Sequence, residues 1–223
     1  MSRDHGAMPP SAASAPTPEL PSAPTPAPPP MSIALPSPNV TVRRLLGRDW
    51  PVYRALRLRS LADAPYAFGS SLALEESWRP EIWMARLTAA ETSGRDCPLI
   101  AEAGAATTET VAGTDETPAA PLGLLYAKCD AEQAGVVNLF QMWVAPEARG
   151  RGVAAALLQA SIDWARSIGA RQVRLGVVCG NDAAARLYRR AGFRDVGAPE
   201  PLRPGSAALE QAMQLDLGAA TQT

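Results

Sequence analysis

The stretch from residue 136 to residue 178 restricts this chain more than any other. Val136 to Val144 reads as a strand and ends in Val144-Ala-Pro-Glu-Ala-Arg-Gly-Arg-Gly-Val-Ala154. Helical spacing then takes over at Ala154, Leu157, Leu158, Ser161, Ile162, Ala165 and Ile168, with Gly169 as the stop. Arg171 to Val178 follows as a second strand, alternating Val173, Leu175 and Val177. A strand, a tight glycine turn, a helix and another strand read as a strand-helix-strand crossover, which makes the chain mixed α/β.

The turn also carries chemistry. Gly150 and Gly152 let the backbone come close to a ligand because no Cβ intervenes. The first helical turn, from Val153 and Ala154, offers unpaired N–H groups at the positive end of the helix dipole. Arg149 and Arg151 add two donors, so residues 149–154 read as a pyrophosphate cradle. A nucleic-acid-binding Arg-Gly-Gly element would be repeated within a low-complexity tract, and this one is single and flanked by ordered patterns. The loop lacks the Gly-Lys-Ser/Thr ending of a P-loop and the Gly-x-Gly-x-x-Gly of a dinucleotide fold.

Before this unit the pattern is simpler. Residues 1–38 hold 12 of the 22 prolines and few large apolar groups, so the expectation is a disordered tail with polyproline character. It is either an unstructured extension (or one preceding a start at Met31) or, as the alternative, a polyproline II ligand. Val40 to Val42 begins the folded part. Asp49 is the expected N-cap of a helix with Pro51 in its first turn, running to Pro65, and a second helix is expected from Pro80 through Leu87. Pro98 to Ala103 and Leu122 to Cys129 read as strands around a loop at 104–121. After residue 178 come a helix, Asp182 to Arg190, and two strands near Arg194 to Gly197 and Leu209 to Leu217. The expected order is βααββββαβαββ, a mixed α/β fold whose first strands form an antiparallel meander.

Composition removes several classes. A formal net charge of -1, with Lys128 the only lysine, argues against a general nucleic-acid binder. No apolar run is long enough for a membrane span. Cys97, Cys129 and Cys179 are far apart and His5 is the sole histidine, so neither a metal site nor a disulfide framework is expected. With no basic-then-apolar leader pattern, the expectation is a cytoplasmic protein.

A second cluster, Asn181-Asp-Ala-Ala184-Ala-Arg-Leu187-Tyr188-Arg-Arg-Ala-Gly192-Phe193, sits on the helix after the crossover. Together with Arg149, Gly152 and Ala154 it resembles the GCN5-related N-acetyltransferase (GNAT) family, whose Arg/Gln-x-x-Gly-x-Gly/Ala and Asn-x-x-Ala-x-x-x-Tyr-x-x-x-Gly-Phe segments it matches. The resemblance implies an N-acetyltransferase domain over residues 39–218, and a flexible C-terminus is expected at 219–223. It implies a mostly antiparallel sheet of six to seven strands, flanked by about four helices, whose fourth and fifth strands splay apart. Acetyl-CoA would be the donor, with pantetheine paired to the backbone at Met142, Trp143 and Val144 and the pyrophosphate on Arg149, Gly150, Arg151, Gly152, Val153 and Ala154. Asn181 and Ala184 would border the cofactor, and Tyr188 would protonate the leaving thiolate. The acceptor would be the primary amine of a small molecule or peptide, and the chain a monomer or homodimer.

The resemblance is incomplete at one point. Many relatives carry a glutamate on the fourth strand, whereas residues 135–144 contain no carboxylate. Asn138 and Gln141 are the polar side chains there and would hold a catalytic water; Glu75 or Glu76, or an amine arriving neutral, are the other options. Trp78, Trp83 and Trp143 are candidates either for the acceptor wall or for the core. The missing carboxylate also sustains a second reading, a catalytically weak acyl-CoA-binding module.

Overall fold

Strands β1 (Val40–Arg44), β2 (Asp96–Ala103), β3 (Pro121–Cys129) and β4 (Val136–Val144) form an antiparallel meander. Helix α4 (Val153–Ser167) then crosses over to β5 (Gln172–Val178), which lies parallel to β4. Helix α5 (Asp182–Arg190) leads to β6 (Arg194–Pro201), and β7 (Leu209–Asp216) inserts between β5 and β6. The sheet order is β1-β2-β3-β4-β5-β7-β6. This computed structural model describes residues 40–104 and 119–218. The tail, most of the loop expected at 104–121, and the final five residues lie outside the described residues.

Two expectations about the order change. Three strands, not four, separate the N-terminal helices from α4, because each of β2, β3 and β4 continues for eight or nine residues through any bulge. Between α1 (Trp50–Asp63) and α3 (Pro80–Ser93) there is also a one-turn helix, α2 (Leu72–Glu76). The described residues thus contain five α-helices. Asp49 does precede α1, but a short 3-10 turn at Gly47–Asp49 turns its carboxylate backwards. It accepts from the Leu46 N–H at 2.8 Å and from Arg43 at 3.0 Å rather than capping the helix.

Helical spacing decides which residues enter the core. α4 buries Val153, Ala156, Leu157, Leu158, Ser161, Ile162 and Ala165, the i, i+3, i+4 stripe of a helix with one covered face. Leu157 packs against Gly123 of β3, whereas Tyr126, three residues along and so on the other face, meets Tyr53 of α1 and Arg86 of α3. α4 therefore covers one face of the sheet, and α1 and α3 the other. Trp83 is fully buried, edge-on to Tyr53 at 5.6 Å and against Trp78 at 5.1 Å, so it is a core residue.

The segment between α1 and α3 is held by charge. α1 buries Tyr53, Leu56, Arg57, Ser60 and Leu61, placing a guanidinium on an otherwise mostly apolar stripe. Ser71 caps α2 by accepting the Leu74 N–H at 3.3 Å, and that turn aims Glu75 at Arg57. Arg57 Nε and Nη2 reach the carboxylate at 2.9 and 2.7 Å, while its guanidinium lies over the Phe68 ring at 4.7 Å. Both side chains are 3% exposed or less. Removing one member strands a buried charge, so Glu75→Ala should lower unfolding free energy by about 3–5 kcal/mol. In chemical denaturation, an Arg57→Met/Glu75→Leu double variant should recover most of that loss.

Candidate active site

The ladder between β4 and β5 runs from Val136↔Gln172 to Leu139↔Leu175 and then stops, although both strands continue. A β-bulge on β4 accompanies the break: Leu124↔Trp143 and Tyr126↔Phe140 leave an extra residue on β4. Gln141 takes up that residue with φ 57°, the only described non-glycine residue with positive φ. A left-handed conformation costs a side-chain-bearing residue on the order of 1 kcal/mol. Tyr53 Oη donates to Gln141 Oε1 at 2.8 Å and holds the bulge from α1.

Where the strands part, a cavity of about 1080 Å³ opens. Asn138, Gln141, Met142, Asn181, Ala184 and Tyr188, all read from the sequence as site residues, line it. Tyr188 is 7% exposed, and its hydroxyl donates to the Met142 sulfur at 3.3 Å. Burial pushes this phenol up to about 12, so it stays protonated at neutral pH. Asn181 caps α5, its Oδ1 accepting from Ala184 N–H at 3.2 Å. Asn138 donates to Asp130 at 2.8 Å.

The other predicted residues are placed differently. Trp143 and Val144 are buried in the core, and the Trp143 indole donates to Asp63 at the end of α1 at 2.8 Å. None of residues 149–154 lines the cavity; they form the turn from β4 into α4, with Val153 buried in the core. Gly150 and Gly152 take φ 75° and 80°, and the space beside Gly150 is open. Arg149 pairs with Asp63 and also donates to the Val144 carbonyl at 3.2 Å. The Trp143 N–H and then Arg149 hold the Asp63 carboxyl below the ordinary carboxylate range. Arg151 stays exposed. Glu75 is occupied by Arg57 and does not line the cavity, whereas Arg57 does.

Two features of the cavity were not read from the sequence. Its wall includes Arg57, Arg86, Lys128 and Arg174 against Asp96 and Glu210. Glu210 belongs to β7 and reaches the cavity only because β7 is threaded beside β5. A strand pattern at 209–217 carried no signal of that insertion.

Residues 66–193 match the model of the acetyltransferase (GNAT) family. An uncharacterised N-acetyltransferase of Methanocaldococcus jannaschii is 33% identical over 79 residues, 34% of this chain and 35% of that relative. The chain thus spans about a third of that relative's length. A GNAT-family acetyltransferase from Streptococcus pneumoniae superposes with a TM-score of 0.63 at 20% identity, over 80% of this chain and 99% of that one. A Salmonella typhimurium protein solved with its cofactor acetyl-CoA gives 0.60 at 19% identity, over 81% and 95%. At those identities the superpositions speak for the fold alone. With the family model covering more than half of its length, and with the parted fourth and fifth strands beside a glycine turn, this chain belongs to the acetyltransferase (GNAT) family.

Proposed function

We propose that the chain transfers an acetyl group from acetyl-CoA to a primary amine of a small molecule or peptide, by direct attack while both are bound. The observation that carries this reading is the parting of β4 from β5 around the Tyr188 hydroxyl. A strand edge open within a cavity is a ready partner for an extended ligand with amide groups, and pantetheine is such a ligand. Met142, Trp143 and Val144 would offer that edge through their backbones. The turn from Arg149 to Ala154 would hold the pyrophosphate, with Gly150 allowing close approach, Arg151 free to turn toward it and the α4 N-terminus contributing N–H groups. Arg149, already bound to Asp63, would order the turn as well as add charge. When bound, the donor supplies an activated acyl carbon and a thiolate leaving group.

The chain's own groups then have distinct tasks. Tyr188, kept neutral by burial, donates a proton to the leaving sulfur. Its present acceptor, a thioether, is a weak one and easily replaced. Backbone N–H groups on the open edge of β4 stabilise the oxyanion. Asn138 Oδ1 and Gln141 Nε2, which make no hydrogen bond among the described residues, hold water at the acceptor nitrogen. A primary amine as acceptor follows the N-acetyltransferase family, and the cytoplasm suits free cysteines and a supply of acetyl-CoA.

Tyr188→Phe should lower kcat by roughly a hundredfold or more while leaving the acetyl-CoA Kd unchanged. Thiol release and calorimetry measure the two, and an unchanged kcat would remove the proton-donor role. The same variant tests the phenol itself. A tyrosine pKa raised on folding contributes stability that is complete below its unfolded value of 10.0 and is lost as pH climbs through about 12. The unaltered protein should therefore lose stability more steeply than Tyr188→Phe across that window in alkaline denaturation.

A further inference from the structure

Glu210 occupies an unusual place on β7. It stands opposite Val178 in the ladder, yet its side chain runs diagonally across β5 over Gly176. A Cβ at residue 176 would lie 2.1 Å from the Glu210 carboxyl group, so the carboxylate fills the volume that the glycine leaves empty. It is half-buried, lines the cavity, and forms no hydrogen bond or ion pair among the described residues. Burial raises its pKa above the ordinary glutamate range.

The sheet face matters as much as the cavity. Asn138 pairs with Arg174 in the parallel register, and Gly176 follows two residues later on the same side of β5. Asn138 lies across from Lys128, which shares the Tyr126 face. Glu210 thus belongs to the face covered by α1 and α3, whereas the glycine turn opens α4 on the other face. A donor held at that turn would reach the parted strands from one side and leave Glu210 on the opposite side, toward the acceptor. The charged and titratable groups around it are Arg174 on β5, Glu200 directly opposite on β6 and Tyr188 on α5, with Arg57, Arg86, Lys128 and Asp96 across the cavity. Arg174 is already engaged by Gln133, Gln172 and Gln214, and Glu200 is exposed.

We propose that the Glu210 carboxylate, seated over Gly176, receives the ammonium group of the acceptor and takes the proton it must lose before attack. This rests on the acetyltransferase reading and supplies the base that β4 lacks. The protons balance. The nitrogen carries three as an ammonium and one as an amide, so two must leave. One passes to Glu210 and on to water, which frees the lone pair. As the N–C bond forms and the C–S bond breaks, Tyr188 protonates the thiolate, and the second nitrogen proton restores Tyr188.

The test uses the full chain with acetyl-CoA and spermidine, benzylamine, lysine and a tripeptide with a free amino terminus as probes. Glu210→Gln should lower kcat/KM for the accepted amine by about a hundredfold or more. It should also abolish the carboxylate inflection on the acid limb of the kcat/KM pH profile, with the acetyl-CoA Kd unchanged by calorimetry. Gly176→Ala, which evicts the carboxyl group but keeps its charge, should lower the same constant. Glu210→Gln matching the unaltered chain in rate and pH profile overturns the assignment while leaving the acetyltransferase reading intact. Loss of acetyl-CoA binding in both variants overturns it too, because a group acting on the acceptor does not hold the donor. An unaltered chain that releases no thiol with any probe overturns both readings.

Discussion

Backbone hydrogen bonding is the constraint around which this molecule is arranged. A sheet interior normally pairs its polar groups with neighbouring strands, and here β4 and β5 cease to do so after Leu139 and Leu175. The break is built in from both sides. On β4, the bulge at Gln141 bends the strand and is tied to α1 through Tyr53. On β5, pairing with β7 continues without a register shift through Val178, so that strand has an unbroken partner on its far side. The space between them follows, and with it the positions of Tyr188, Met142 and Asn181.

Around that opening, charge does what apolar packing cannot. The segment from Ala64 to Arg79 contains only one short helix, and the buried Arg57–Glu75 pair anchors it against α1. Asp63, at the end of α1, joins the Trp143 indole to Arg149 and so connects the helix, the parted strand and the glycine turn through one carboxylate. A bidentate or shared carboxylate fixes direction as well as distance, which suits walls that carry little regular hydrogen bonding.

Much of this was legible in the residue pattern, for a clear reason. α4 and β5 repeat their apolar positions long enough for period to identify them, and the inward face of α5 puts Tyr188 where the spacing had it. α2 escaped notice because five residues make a single turn, too short for any periodicity. Trp143 was ambiguous between core and wall until its indole found Asp63. Arg149 looked like a ligand donor, and nothing local reveals that a residue 86 positions away holds it. Glu210 is the extreme case: its location depends on strand order and on an absent side chain at residue 176, both tertiary facts.

The incomplete ladder has a mechanical consequence. The sheet resembles an open book, with β1 to β4 as one cover, β5, β7 and β6 as the other, and the short pairing from Val136 to Leu139 as the spine. α4 packs along the first cover, against β1, β2, β3 and β4. A molecule lying between the covers and bonding to both supplies cross-links that the backbone omits. Its binding energy then goes partly into stiffness, because it bridges β4 and β5 where they carry no ladder of their own.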